Sequence, residues 1–543
     1  MADHQSMQEI LEHLKQQNAG LTALLEARER EVLILTQQIE WLKRQLFGRS
    51  GDRFEHPELF ALEGAKKPEA SPENTSGPEA EAKTNPQKTN PQQAQPAQGK
   101  ARPIRGQKLP ENLPKFQGRE FTPPEVLENP DDYVRVGSRE VERLEREPGY
   151  FYLACDVYGS YKRKDAPHLP PIQAPAAPAL VPGSFWGPSL MAEVLVNKFA
   201  YALPFERQHR MNLQRFGVEL PVSTMCDVQK NCAEQFDILV RMMKRDALAD
   251  GYLRMDETHH LYLDRTLEGG SSNGYYWVVR RENGDVIFIW KTGRDGKDIE
   301  DWLVDGDFEG VLQADGYAVY PRMVRRLVAK GRKVRLAACL AHIRRKFVDA
   351  QEQNPLVVGW IIKHIARLYA IEAELRENRA PPEMKARIRM LQSAPILRLL
   401  KRAILHLRQK CPKILPKSML GKALEYALGQ WEGMQVYLCH GQVAIDNNDT
   451  ERDIRPTAVG KKNHLFIGHP EAGERSAVMY TLLVSARNHG ADPYAYLRDL
   501  IARLPLCKAN DKEALRALLP GPWAEANKKL REQKQAPPAP NVA

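Results

Sequence analysis

From Leu11 onward, aliphatic residues recur at alternating spacings of three and four. Leu11, Asn18, Leu25, Val32, Ile39 and Leu46 fall on one heptad position, and Leu14, Leu21, Arg28, Leu35 and Leu42 on the other. Nine of these eleven positions are aliphatic, which makes an apolar seam that a lone helix cannot bury, and the single Asn is a device that fixes register in a parallel pair. The pattern predicts a coiled coil over residues 1–50; an amphipathic helix lying on its own globular domain would have the same periodicity. The coiled coil is preferred because the adjoining segment cannot form a core for such a helix to lie on. Residues 61–100 hold six prolines, no aromatic residue and Leu62 as the one large aliphatic, too little apolar surface to offset the entropy of ordering. A disordered linker is therefore expected over 51–103.

A small mixed region spans 104–165, with a strand pair around REVERLEREPGYFYLACDVYGSY. The Pro/Ala-rich stretch 166–188 separates it from a helical region over 189–247. There two helix patterns, Pro204 to Phe216 and Val222 to Phe236, flank the short turn GVELP, with Ser223 as a candidate cap. This length and turn suit a helix-turn-helix that reads DNA in the major groove, and equally two packed helices. From Tyr252 the period changes to strands (YLRMDETHHLYLDR, YYWVVRR, VIFIW), followed by helix KDIEDWLVD, strand GVLQAD, helix RMVRRLVAKG and strand KVRLAAC. The remainder reads as helical, with an insertion over 348–439, a return to the sheet domain over 440–490, a helical element over 491–520 and a disordered tail over 521–543. The fold class expected is α/β, with a strand-helix core over 248–347 and 440–490.

Composition narrows the function. The chain has 79 Lys+Arg against 69 Asp+Glu, a net charge of +10, thin over this length but suited to a polyanionic partner. That excess is concentrated. Residues 316–348 hold ten Lys/Arg and 384–424 eleven, with no Asp or Glu in either window. Together they carry +21, so the remaining residues carry −11. The seven cysteines are scattered without a C-x-x-C pair, which signals neither a disulfide framework nor a cysteine-rich zinc module. With no apolar run near the ~20 residues of a membrane span and no signal-like start, a cytoplasmic location is expected. A G-x-x-x-x-G-K-[ST] loop is absent, which argues against a kinase or ATPase.

Strands in this order with acids at their ends are what a ribonuclease-H-like nucleotidyl-transfer site requires. Asp256 ends the first strand, Asp315 the fourth, and Glu451 lies on a helix after the fifth. Carboxylates suit such chemistry because hard divalent cations must be held at the reacting phosphate. Glu257, Asp264, Asp446 and Asp449 compete on composition alone.

Several segments, in order, carry a resemblance: QLFGRSGDR (45–53), MDET (255–258), ADGYAVY (314–320), CLAHIRRKF (339–347), IDNNDTERDIRP (445–456), GKKNHLFIG (460–468) and GERSAVMYTLLVSARNHGADPYAYL (473–497). Together they resemble the insertion sequence 66 family of DDE transposases. The resemblance implies a ribonuclease-H-like catalytic core with a helical insertion, an N-terminal zipper and a DNA-binding region. It places Asp256, Asp315 and Glu451 on the catalytic, metal-holding acids, with two Mg²⁺ or Mn²⁺ ions per site. Members commonly carry a cysteine-rich zinc module after the linker; here that stretch holds only Cys155, so no zinc is expected.

Position singles out further residues. Cys339 and His342 form a C-x-x-H at the fifth strand's end, for which a structural role is expected. Arg344, Arg345, Lys346, Arg452, Arg455, Lys461 and Lys462 are candidate DNA contacts. Arg455, four residues after Glu451, shares its helix face and would either hold a phosphate or orient the Glu through an ion pair. The function implied is binding of terminal inverted repeats, strand cleavage and strand transfer. Its partners would be double-stranded DNA, further copies of the chain through the coiled coil, and small accessory proteins; the location would be the nucleoid. A ribonuclease-H-like nuclease without strand transfer and an inactive DNA-binding derivative are the alternatives.

Overall fold

A computed structural model describes residues 115–535, apart from Pro148, Pro167, Arg265, Leu267, Glu268, Gly269, Pro412, Lys413 and Ala509. The expected coiled coil (1–50) and linker (51–103) lie outside the described residues. No helix among the described residues is long and apolar enough to cross a membrane.

A small mixed sheet comes first. Strand β1 (Lys115–Phe121) is followed by helix α1 (Pro124–Glu128), β2 (Tyr133–Glu147) and β3 (Tyr150–Arg163), in the order β1-β3-β2, with β4 (Ile172–Gln173) on β3. The Pro/Ala-rich stretch behind it is no loose separator. Leu180, Val181 and Trp186 are buried, and Leu144 receives and gives backbone hydrogen bonds with this stretch: its N–H donates to Phe185 O (2.6 Å), and Gly187 N donates to its carbonyl (2.9 Å). Prolines lack an N–H to satisfy, so such a segment can be buried through its side chains at little polar cost.

Helices α2 (Pro188–Phe199), α3 (Phe205–Phe216) and α4 (Val222–Leu248) come next. The α3–α4 pair lies where the sequence places it, with two differences. Helix α4 begins at Val222, so Ser223 sits inside the first turn and caps nothing. It also continues past Phe236 to Leu248, because the apolar stripe Phe236, Leu239, Val240, Met243, Ala247 keeps helical spacing and is buried. Its exposed positions mix signs, Asp227 and Glu234 with Lys230 and Arg241.

The second sheet has the order β7-β6-β5-β8-β9, from β5 (Tyr252–Leu263), β6 (Ser271–Arg281), β7 (Val286–Lys291), β8 (Gly310–Ala314) and β9 (Val334–Ala338). The first three pair antiparallel; β5-β8 and β8-β9 are parallel. Parallel neighbours need crossovers, supplied by α5 (Lys297–Asp305) and α6 (Val319–Ala329). Alternate residues of the central strands enter two different apolar cores. Leu253, Met255 and Leu312 join the larger one, shared with α4 and the later helix α14 (Pro470–Asn488). Tyr252 and Val311 join a second, built by helices of the insertion.

After β9 come α7 (Leu340–Asp349), α8 (Pro355–Glu377), α9 (Pro382–Ile388), a π turn (Arg389–Ser393), α10 (Ala394–Lys410), α11 (Met419–Gly429) and α12 (Trp431–Cys439). Helix α13 (Asn448–His464) then returns to the sheet. The chain closes with α15 (Pro493–Arg503), α16 (Lys512–Ala517) and α17 (Pro520–Gln535). The last corrects the reading of 521–543 as a tail: Trp523 is buried edge-on to Tyr496, and its indole N–H donates to Asp499 (2.7 Å). One aromatic anchor orders a helix whose other residues are mostly polar. Residues 536–543 lie outside the described ones.

Arg389, at the π turn, is buried. Its guanidinium grips Glu372 with two hydrogen bonds (2.8 and 2.7 Å) and donates to the carbonyls of Tyr437, His440 and Val443 at 2.9 to 3.1 Å. A buried cation with this many acceptors is satisfied, whereas a partner left alone would not be. Glu372→Gln should therefore destabilise the protein by about 3–5 kcal/mol, measurable as a lowered denaturation midpoint. A change below about 1 kcal/mol would show the pair to be dispensable.

Candidate active site

The two aspartates are brought level by strand register. Tyr252 pairs with Val311 and Arg254 with Gln313, so two residues further along Asp256 aligns with Asp315. In the next pair Ala314 lies opposite Ala338, which sets Asp315 level with Cys339. Adjacent strands lie about 4.8 Å apart, so Asp256, Asp315 and Cys339 form a row; Asp315 and Cys339 directly follow β8 and β9, whereas Asp256 does not end its strand but is the fifth of the twelve residues of β5, which stays paired with β6 as far as Leu263. By alternation Asp256 shares a face with Tyr252 and Arg254, the side covered by the insertion.

Glu451 reaches this row through the segment 443–447. Ala444 N donates to Tyr252 Oη (3.0 Å), and Gln313 Nε2 donates to Ala444 O (2.9 Å). Leu340 N donates to Ile445 O (3.1 Å). Asn447, fully buried, ties three elements together: its Nδ2 donates to Met255 O (2.9 Å), its N–H to Cys339 Sγ (3.2 Å), and its Oδ1 accepts from Thr450 (2.6 Å). Arg254 adds an ion pair to Asp449 (2.8 Å). Helix α13 is thereby fixed at its first turn to the strand that carries Asp256.

The three acids meet electrostatically. Burial, then the charges of Glu257, Asp315 and Glu451, push Asp256 up to about 7, against the opposing hydrogen bond from Glu257 N (2.8 Å). Asp315 accepts from Tyr317 N (2.9 Å). Glu451 is approached by His342 Nε2 (3.7 Å) and Arg345 (3.5 Å). Its Oε1 and His342 Nδ1 are buried with no hydrogen-bond partner. Cys339, His342 and Glu451 each offer one ligand atom within 4.8 Å of the others. Burial pushes the Cys339 thiol up to about 11, so it stays protonated and accepts the Asn447 N–H, which is a structural part.

The competing acids are committed elsewhere. Glu257 is buried against Arg294 (2.7 Å) and Tyr320 Oη (2.6 Å). Asp449 is held by Arg254 and Arg452, Asp446 by Asn448, and Asp264 by Thr266. Among the predicted cations, Arg344 and Arg345 line a groove of about 510 Å³ with Val348, Tyr369 and Asn448, beside Glu451. Lys346 lies over the Tyr426 ring (5.9 Å), and Tyr426 packs so tightly on Gly316 that an added Cβ would meet its hydroxyl at 2.6 Å. Arg452 is paired with Asp449, Lys461 touches exposed His259, and Lys462 is exposed. The Arg455 ion pair is corrected: it is Arg345, from α7, that reaches Glu451, while Arg455 is exposed. His260 packs edge-on to Tyr276.

The basic windows are not uniformly open either. Acids from neighbouring elements answer some of their cations: Glu300 meets Arg322 and Arg326, Asp307 meets Arg332, and Glu425 meets Arg408. Arg389 is internal. Reading the sequence missed Asn447 altogether, although an Asn just ahead of a helical pattern is a recognisable start signal.

The Transposase IS66 family model matches residues 183–475, a span that contains all three acids, and the IS66 C-terminal element matches residues 481–520. Three proteins of Sinorhizobium fredii (strain NBRC 101917 / NGR234), all described as uncharacterized, are similar. Protein y4jD is 30% identical over 435 residues, covering 76% of this chain and 81% of its own. Protein y4qI is 27% identical over 396 residues (68% and 69%), and y4hP 25% over 417 (72% and 72%). A match across the sheet, the insertion and the returning helix, continued through the C-terminal element, has one meaning: the chain belongs to the IS66 family of transposases.

Proposed function

We propose that this chain binds the terminal inverted repeats of the element that encodes it and catalyses DNA strand cleavage and strand transfer, with Asp256, Asp315 and Glu451 as the catalytic acids of a ribonuclease-H-like core. The observation that carries this reading is the convergence of three carboxylates, one within β5, one just after β8 and one on a helix, at a place where burial, then the charges of Glu257, Asp315 and Glu451, push Asp256 up to about 7. Such crowding is unfavourable unless a cation relieves it. The donor set fits hard divalent cations: carboxylate oxygens suit Mg²⁺ or Mn²⁺, and Glu451 Oε1 is buried without a partner. Asp256, Asp315 and Glu451 would hold two such ions, which when bound stabilise charge on the attacking and leaving oxygens.

The protein's own groups do the rest. Arg345 and His342 orient Glu451. Arg344 offers a guanidinium to a DNA phosphate in the groove beside it, with Lys346 next to it on the same helix. Water first attacks the phosphodiester at the element's end, releasing a 3′-hydroxyl. That hydroxyl then attacks a target phosphodiester and expels a target 3′-oxygen, so one bond forms as one breaks and no covalent protein intermediate is needed. Two ends must be joined, which calls for at least two subunits; the N-terminal heptads provide the means, with accessory proteins from the same element as further partners.

Three outcomes test this reading. Asp256→Ala should lower cleavage of end-containing duplexes by about 10³-fold or more while leaving duplex binding intact; a variant that still cuts would remove Asp256 from the mechanism. In EDTA, Asp256→Asn should melt at a higher temperature than the parent. The native carboxyl binds its proton up to about pH 7 and the unfolded one only to about 3.8, so the parent loses stability as pH rises between those values. The gap should widen across that window and stay level above it. Finally, duplex affinity should fall steeply with salt, and Arg344→Gln should reduce the slope of log K against log salt by about 1.

A further inference from the structure

Four non-glycine residues among those described have a positive φ: Ala202, Asp307, Arg379 and Leu465. Asp307 and Arg379 come just after helix ends, where the left-handed conformation is ordinary. The other two belong together. Leu465, after α13, has φ 65° and ψ −50°, outside the left-handed helical region and close to the strained γ-turn, and Phe466 N donates to His464 O (2.7 Å) across it. Ala202 (φ 55°) turns the chain after α2. Asn463 Nδ2 donates to Ala202 O (2.9 Å) and so joins the two turns.

The consequence is an exposed apolar ridge from two elements: Tyr201 is 67% exposed, Leu465 64% and Phe466 43%. Such strain persists only where the surroundings over-determine it, and it gathers at functional sites. Here the surroundings are firm. Beyond the tip, Ile467 N donates to Leu261 O and Leu263 N to Ile467 O, both at 2.8 Å, which attaches it to the strand of Asp256. On the near side it is the end of the helix that carries Glu451 in its first turn. Lys461 and Lys462 stand in the last turn of the same helix, just before Leu465, Arg207 is close enough to His464 to disfavour its charged form, and Glu206 faces Arg210 (3.8 Å).

We infer that Tyr201, Leu465 and Phe466 form a wedge that enters duplex DNA and unstacks a base step near the cleavage site. An apolar tip alone would suit a protein partner. A tip edged by cations and held rigidly to the acids suits a duplex, whose phosphates meet the cations while the apolar side chains enter between bases. The fourteen residues from Glu451 to Leu465 span about 21 Å of helix, or about six base pairs at 3.4 Å each. This inference rests on the transposase reading and deepens it by giving the end DNA a deformed step.

The test uses the full chain, without divalent metal, and duplexes carrying the inverted repeats that flank the gene, with 2-aminopurine placed at one position at a time. Binding is followed by anisotropy. Fluorescence should rise severalfold at a step about six base pairs from the cut. It should return to the free-duplex level in Leu465→Gly and in Phe466→Ala, with anisotropy binding kept. Leu465→Gly should also melt higher than the parent, since glycine accepts that backbone, so lost unstacking could not be blamed on misfolding. In a separate assay with Mg²⁺ added, a duplex with a mismatch at that step should restore cleavage by Leu465→Gly, which a merely structural leucine would not require. A bound wild-type complex with no fluorescence rise at any position, or a rise that both variants keep, overturns the wedge alone. A wild-type chain that leaves anisotropy unchanged overturns the transposase reading and the wedge with it.

Discussion

Everything at this site depends on how Glu451 is held, because it arrives 195 residues after Asp256 through a chain that leaves the sheet and comes back. The register of the parallel ladder, Tyr252 with Val311 to Arg254 with Gln313, carries Asp256 level with Asp315 two residues beyond it, but nothing of the kind reaches a helix. The substitute is a set of buried hydrogen bonds along 443–447. Tyr252 and Gln313 hold Ala444, Leu340 holds Ile445, and Asn447 joins Met255 to Cys339. Each is a polar group removed from water, so each costs free energy if its partner is lost. That penalty gives the returning helix one position. The loop-closure entropy of a long excursion grows only slowly with its length, so an insertion of this size is tolerable once its return is fixed.

The same return explains what the insertion does for the fold. The sheet is apolar on both faces. Leu253, Met255 and Leu312 are covered by elements present before and after the insertion, whereas Tyr252 and Val311 are covered by the insertion's own helices. Asp256 and Asp315 lie on the second face by alternation, and there the layer against β5 is α13, held through Arg254 to Asp449 and through Asn447 to Met255. Burial is the largest cause of the raised Asp256 carboxyl, so the insertion has two roles, to close this face of the core and to bring α13 back to it. Arg389 connects the two roles: within the insertion it neutralises Glu372, and through Tyr437, His440 and Val443 it fixes where the return segment starts.

Much of this was legible in the sequence, and the unread part has identifiable causes. Period-two alternation marks the five strands, and Asp315 is visible because a strand end is where alternation stops, whereas Asp256 interrupts the apolar pattern inside β5, which continues to Leu263. Helix α4 was cut short because its early polar residues hid a stripe that continues to Ala247. The C-terminal helix was missed because one residue, Trp523, anchors it, and a single aromatic leaves no period to detect. The ion pair to Glu451, one of the two roles open to Arg455 in the sequence, falls to another residue for a different reason. Helical spacing reports neighbours within one helix, so it pointed to Arg455, while Arg345 approaches from another element 106 residues away. Charge counting had the same blind spot: windows empty of acids looked like open basic tracks, yet Glu300, Asp307 and Glu372 lie across tertiary contacts from them.

Which cations stay available to a polyanion is therefore a question of neighbours, not of local density. Arg322, Arg326 and Arg332 meet carboxylates on α5 and the turn after it, and an exposed pair of this kind contributes little to stability while it dilutes the local field. Arg344 and Lys346 stand on a helix whose first turn holds no acid, beside a carboxylate cluster that a cation would neutralise. The opposed signs are then arranged in space as the chemistry needs them. Arg344 and Arg345 line the groove where phosphates would run, and Asp256, Asp315 and Glu451 stand half-buried beside it, where an ion's attraction is stronger than in open water. A chain of only modest net charge can present a strongly polarised surface in this way, because what a phosphate meets is the local imbalance that tertiary packing leaves.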